Sequence, residues 1–306
     1  MPTPLIRPIV PATRSKYNIT HRTPPAMELT TMIGCPLMCT FCPQDNLREA
    51  YGKDTNDKDK KYMSLSDLEV ILDKLPITTR IDFSGMSEPW ANPDCTDMLR
   101  MTLEKGFTVA VFSTLYGMRA EEVDTVVGLL ETYNKQIEVV CLHLPDANKN
   151  MKGWKYSEEW EYVFNKMART QVSCGVGAMT MDGHSRVHPD IAHFAKPSFQ
   201  FDGHSRADSL DLEQIQGQPI KLPPRHTNPL TCYSTPFYDR NVVLPNGDVV
   251  LCCMDYNLKH IIGNLIKQNW EDLFTNKELL DIIAINETPG FSKCSICKSC
   301  DNVRYI

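Results

Sequence analysis

No window of the 306-residue sequence is apolar for long enough to cross a membrane, which takes roughly 18 residues. The opening Met1-Pro2-Thr3-Pro4-Leu5-Ile6-Arg7-Pro8 lacks the apolar core of a secretory signal, so the expected location is cytoplasmic. A basic excess is missing too. The formal charge is −6 and the pI about 5.8, so no global field draws nucleic acid. Neither a membrane nor a nucleic acid is an expected partner. At 42% hydrophobic residues, one large domain and a small one can both be filled. What the chain does have is cysteine. Twelve thiols without a secretory signal argue for metal or redox chemistry rather than disulfides.

The thiols cluster at opposite ends. Cys35, Cys39 and Cys42 stand in Gly34-Cys35-Pro36-Leu37-Met38-Cys39-Thr40-Phe41-Cys42-Pro43, a C-x3-C-x2-C run. Three thiolates can hold three irons of a 4Fe–4S cube that normally takes four protein ligands, which leaves one iron open. An open position marks a catalytic metal site and a closed one a structural site. A zinc knuckle completed by a distant ligand is the competing reading. Six more cysteines, Cys232, Cys252, Cys253, Cys294, Cys297 and Cys300, lie near the C-terminus. Cys95, Cys141 and Cys174 read as buried small hydrophobes.

Between the clusters the pattern is that of an α/β fold. Residues 1–26 are polar and Pro-dotted and read as an N-terminal extension. Glu28–Ile33 reads as a first strand that delivers the Cys loop. Residues 51–61 read as a solvated loop, with a lid over substrate as the alternative. Ser66-Asp67-Leu68-Glu69 reads as a capping box opening a helix with Leu68, Ile71, Leu72 and Leu75 on one face. Strands at Thr79–Ser84, Phe107–Phe112, Glu138–Leu142 and Val172–Met179 alternate with helices from Asn92-Pro93 to Gly106, over 120–133 and over 156–170. That alternation predicts a parallel sheet covered by helices, with the site at the strands' C-terminal ends. Beyond residue 185 the rhythm stops. Asp182-Gly183-His184-Ser185-Arg186 recurs as Asp202-Gly203-His204-Ser205-Arg206, and 217–230 reads as a linker. Asn241–Cys252 predicts a hairpin with Asn246-Gly247 as its turn, and a helix over 270–284 precedes the last cysteines.

The C-x3-C-x2-C spacing, with Phe41 before the third Cys, resembles the signature of the radical S-adenosylmethionine (SAM) superfamily. The resemblance implies a partial (β/α)6 barrel over residues 27–215 and an open iron that chelates SAM's amino and carboxylate groups. Ser84-Gly85-Met86-Ser87-Glu88-Pro89 resembles the Gly-rich strand end of that family, although Met86 and Ser87 replace its usual glycines. There Gly85 is expected to let backbone approach the ligand, and Glu88 to accept SAM's ammonium. Ser113 and His143 close the third and fourth strands and are expected at SAM's ribose or methionine part. Phe41 and Val176 are expected beside the adenine.

The C-terminal cysteines resemble the SPASM/twitch domain of radical SAM enzymes. The matching residues are Cys232, the Gly247–Cys252 hairpin, Ile262-Gly263-Asn264-Leu265 and Cys297-x2-Cys300-Asp301. Too few thiols remain for two clusters, so one auxiliary 4Fe–4S cluster is expected in residues 216–306. Its ligands are expected to be Cys232, Cys252, Cys297 and Cys300, with Cys294 as an alternative to one of the last pair. A four-cysteine zinc ribbon is the competing reading. Cys253 adjoins Cys252 and should point elsewhere if in a strand. Ser205-Arg206-Ala207 resembles an Arg-bearing segment of SPASM proteins, with Asp208 where Gly is usual. Arg206 and Cys253 are the candidate catalytic residues, and Cys174 and Cys95 are further candidate thiols.

The implied activity is reductive cleavage of SAM to a 5′-deoxyadenosyl radical that abstracts a substrate hydrogen. Oxidation or epimerisation of a carbohydrate or aminocyclitol follows, with modification of a ribosomally made peptide as the rival. A non-catalytic iron–sulfur or zinc protein is the alternative from another class. A small-molecule substrate and a reductant such as flavodoxin or ferredoxin are the expected partners.

Overall fold

The structure is a computed structural model that describes residues 24–54, 59–180, 186–199, 204–210 and 223–306. Most of the expected N-terminal extension, part of the expected lid, parts of both pentapeptide copies and the start of the expected linker lie outside these residues.

Five parallel strands run β1 (Ala26–Leu29), β2 (Arg80–Phe83), β3 (Thr108–Ser113), β4 (Ile137–Leu144) and β5 (Val176–Thr180). Each pairs with its predecessor in register, for example Glu28 with Asp82 and His143 with Met179. The helices α1 (Gln44–Asp54), α2 (Leu65–Lys74), α3 (Cys95–Glu104), α4 (Ala120–Thr132) and α5 (Glu158–Ala168) connect them. Leu68, Ile71 and Leu72 of α2, Val123, Val126 and Leu130 of α4, and Val163 and Met167 of α5 pack into one core with the strands. This three-to-four spacing buries one helix face against the sheet.

The expected fold holds, with local differences. α2 is capped by Ser64, whose Oγ accepts from Asp67 N at 3.2 Å, rather than by Ser66. The first strand ends at Leu29, not Ile33. Residues 51–54 continue helix α1 instead of opening a loop.

The barrel is not followed by a detached module. β6 (Leu230–Cys232) pairs antiparallel with β10 (Val303–Tyr305). β7 (Arg240–Val243) pairs in parallel with the free edge of β1, Ala26 opposite Arg240. The hairpin then continues through β8 (Asp248–Val250) and β9 (Ile261–Asn264), giving one eight-stranded sheet in the order β5-β4-β3-β2-β1-β7-β8-β9. Among the described residues no sixth barrel strand follows β5. A last helix, α6 (Lys277–Glu287), follows a 3-10 turn at Trp270–Thr275. No helix among the described residues is long and apolar enough to cross a membrane.

Candidate functional site

The parallel strands point their C-terminal ends at a cavity of about 360 Å³. Cys35, Cys39 and Cys42 all line it. Their loop is held in place by backbone contacts. Thr40 N donates to Asn150 O at 2.9 Å, and Gly153 N donates to Leu37 O at 2.8 Å. A Cβ at Gly153 would stand 2.1 Å from Pro36 O, so only glycine allows this approach. Burial pushes the Cys35 thiol up to about 12 and the Cys39 thiol well above its ordinary value, and the facing Cys42 adds to both. Enclosed thiols such as Cys35 and Cys39 are poor thiolates unless a cation joins them, and Cys42 completes a set of three sulfur donors. That donor set fits an iron–sulfur cluster.

Sequence reasoning missed two neighbours of this loop. Gln44 opens α1, accepts from Cys35 N at 3.3 Å, and donates to Cys42 Sγ at 3.3 Å and Met86 O at 2.6 Å. The Cys42 thiol donates to the Tyr256 hydroxyl at 3.2 Å, although Tyr256 lies far along the chain beyond the hairpin. Neither residue belongs to a spaced motif. The only local signal was the position of Gln44, directly after the Cys run.

Glu88 follows β2 and lines the same cavity. Its carboxylate accepts from Ser113 Oγ at 2.5 Å and from Thr114 N and Oγ1, both at 2.7 Å. Burial raises its pKa to about 7 despite these donors. Ser113 is itself fully buried and does not line the cavity, so it positions Glu88 instead of touching a ligand. His143 does reach the cavity, and burial lowers its pKa to about 4. Its buried Nε2 has no hydrogen-bond partner, which suits a polar ligand group. Phe41 lines the cavity as expected. Val176 does not. It begins β5, opposite Val140, several residues short of the strand's cavity end. Met179, opposite His143, occupies the lining position instead.

Gly85 lines the cavity, and the structure shows a packing reason for glycine there. Its φ is +55°, and a Cβ there would lie 2.5 Å from Leu29 O and 2.7 Å from Thr30 N. Close packing against the end of β1 by itself requires glycine here. Gly85→Ala should therefore destabilise the fold by about 2–4 kcal/mol, read as a lower urea midpoint. An unchanged midpoint would contradict that packing.

The C-terminal region closes the cavity. Arg206, Cys253 and Tyr256 line it. Arg206, Ala207 and Asp208 have φ of +50°, +52° and +72°, a run of left-handed residues that costs of order 1–3 kcal/mol each. The left-handed Asp208 explains why glycine suits that position. Asp301 anchors the turn by accepting from Ser205 N at 2.7 Å and Oγ at 2.6 Å. The strain holds the Arg206 guanidinium 5.7 Å from the centre of the Tyr256 ring. Deeper in the cavity, Glu28 of β1 accepts from Ser84 Oγ at 3.3 Å and from the Cys253 thiol. No motif flagged Glu28.

The adjacent cysteines diverge, although they stand in a turn after β8 and not in a strand. Cys253 faces the cavity, while Cys252 shares an electrostatic environment with Cys297 and Cys300. Cys232 in turn raises Cys297 and Cys300, after the larger effect of burial. The pairing of Cys232 with Val303 draws the chain end back to β6, beside Cys300. Cys294 is exposed and takes no part in this group. Cys174 is exposed rather than buried, and neither it nor the buried Cys95 lines the cavity. Among the described residues no three His, Cys, Asp or Glu side chains are gathered as a single metal ion would need.

Residues 232–301 match the family model of SPASM, described as an iron–sulfur cluster-binding domain. The match begins at Cys232 and ends at Asp301, the two ends expected from the cysteine pattern. No curated protein matches the chain in sequence. Among solved structures, BtrN in complex with AdoMet and 2-DOIA is similar at 17% identity, 92% of this chain, 94% of that chain and a TM-score of 0.59. BtrN in an open conformation is similar at 14% identity over the same shares, with a TM-score of 0.51. A tagged anSMEcpe with bound AdoMet is similar at 13% identity, 87% of this chain and 81% of that chain, with a TM-score of 0.50. The chain thus shares the fold of these AdoMet-bound structures, a partial parallel barrel, and its residues 232–301 resemble the SPASM iron–sulfur cluster-binding domain.

Proposed function

We propose that this protein is a radical SAM enzyme that oxidises or epimerises a hydroxylated small molecule, a carbohydrate or an aminocyclitol. The observation that carries the reading is that Cys35, Cys39 and Cys42 share one cavity with Glu88, His143 and Cys253. The likeness to BtrN, determined with AdoMet and 2-DOIA, supports the substrate class.

The three cavity thiols would hold a 4Fe–4S cluster, and Cys232, Cys252, Cys297 and Cys300 an auxiliary one. With SAM bound, the first cluster would supply the electron for reductive cleavage of SAM, from which hydrogen abstraction on the substrate follows. The remaining roles belong to the chain. Glu88, fixed by Ser113 and Thr114, accepts SAM's ammonium. His143 Nε2 hydrogen-bonds SAM's ribose or methionine part. Phe41 and Met179 pack beside the adenine. Gln44 and Tyr256 orient the Cys42 sulfur, and Arg206 on the Tyr256 ring closes the cavity against water. Flavodoxin or ferredoxin in the cytoplasm supplies the electron.

Cys253 favours the epimerising branch. Burial pushes its thiol well above the ordinary value, so it carries a hydrogen inside the cavity. The branches separate in heavy water, where the thiol exchanges its hydrogen. An epimerase places one solvent deuterium on the product carbon, whereas a dehydrogenase releases an oxidised product without it.

The overall test is anaerobic purification followed by chemical reduction. A brown protein that converts SAM to methionine and 5′-deoxyadenosine is expected. Stoichiometric zinc with no SAM cleavage would overturn the proposal in favour of a non-catalytic metal protein.

A further inference from the structure

The cavity contains two carboxyl groups with no ion-pair partner among the described residues, Glu88 and Glu28. They differ in what surrounds them. Glu88 receives three donors from the end of β3 and stands beside the Cys35 loop. Among the described residues Glu28 has only Ser84 and Cys253 as donors, one weak and both neutral.

No charged group forms an ion pair with Glu28 among the described residues. Asp82, directly opposite on β2, accepts from Arg80 Nε at 2.6 Å and Nη2 at 2.7 Å. Arg80 also pairs with Glu138. Arg206 acts on Glu28 only at longer range, its guanidinium lying over Tyr256 and against Met254 Sδ at 3.9 Å. On the β7 side Val242 stands opposite Glu28, and Arg240, two residues before it, lines the same cavity with its buried Nε unpartnered but forms no ion pair with Glu28. Burial and the nearby Asp82 raise Glu28 to about 7. Such a group gains its charge fully only when a cation arrives. SAM brings one ammonium, which Glu88 accepts in the proposed function. The second carboxyl then has no ion-pair partner among the described residues, although Arg206 and Arg240 share its cavity.

We infer that Glu28, with the Ser84 hydroxyl beside it, is the subsite for an ammonium group of the substrate, and that the enzyme acts on an amino-bearing cyclic polyol rather than a neutral one. The inference rests on the proposed function and narrows its substrate class. A charge-assisted hydrogen bond in an enclosed site is stronger than one from a neutral hydroxyl. The preference for amine over alcohol should therefore be about tenfold or more.

The test uses the reconstituted enzyme with SAM present and two probes, scyllo-inosamine and scyllo-inositol, which differ by amine against hydroxyl. Anaerobic calorimetry should show the amine bound about tenfold more tightly or better. Glu28→Gln should erase the preference, and Glu28→Asp, which keeps the charge but withdraws it, should reduce it. Iron content and thermal melting report whether each variant is folded, and Glu28→Asp decides the matter if Glu28→Gln is not. Equal binding of the probes by wild type, no measurable binding of the amine, or a preference that survives Glu28→Gln would each overturn the inference. SAM cleavage with equal probe binding would sink the ammonium subsite and leave the proposed function standing. Amine preference without SAM cleavage would do the reverse.

Discussion

Replacing Cys35, Cys39 and Cys42 together with alanine is expected to abolish SAM cleavage while leaving roughly half the iron. The three thiols are the only cysteines besides Cys253 that line the cavity among the described residues, so no other set can take their place. Their loop should survive the change. It is held by main-chain hydrogen bonds to Asn150 and Leu37 and by the close contact at Gly153, none of which uses a sulfur. The variant should therefore fold and keep the auxiliary iron. Iron analysis and chromatography of 5′-deoxyadenosine check the two halves separately. Cleavage at the wild-type rate would place the SAM chemistry elsewhere. Loss of all iron would mean that the two sites are not independent.

The strands and helices were legible because each repeats a period that burial enforces. The apolar runs of β3 and β4 are buried on both faces, and α4 shows one buried stripe. α1 was hidden because its polar sequence, with Gly52 in the second half, carries almost no apolar stripe. The pairing of β7 with β1 was also hidden. It joins residues more than two hundred positions apart, and no local pattern encodes which edge a hairpin will find. The site divides the same way. Cys35, Cys39, Cys42 and the SPASM cysteines declare themselves by spacing. Glu28, Gln44 and Tyr256 are single residues whose significance comes only from what the fold brings beside them. Val176 shows the limit of analogy along a strand. It is displaced toward the wrong end of β5, while Gly85 answers a packing demand of β1.

The double change Cys297→Ala and Cys300→Ala should separate SAM cleavage from substrate turnover. Cys297 and Cys300 lie with Cys232 and Cys252 away from the cavity lining, so the SAM-binding residues are untouched. About half the iron should go, SAM cleavage should persist, and conversion of substrate should fall to background. The cost in stability should reach beyond the C-terminal region. The small region around these thiols buries only a modest core. It is nevertheless tied to the barrel, because β7 supplies the edge partner of β1 and Asp301, next to Cys300, anchors the turn that carries Arg206. Loosening the cysteine group should relax that left-handed turn and lower the melting temperature by on the order of 10 °C. Retained substrate turnover in this variant would remove the electron-acceptor role of the auxiliary site. Wild type containing one iron–sulfur cube plus stoichiometric zinc would identify the C-terminal group as a zinc ribbon. The oxidising branch would then lose its electron sink, and the Cys253 thiol would remain as the route to product.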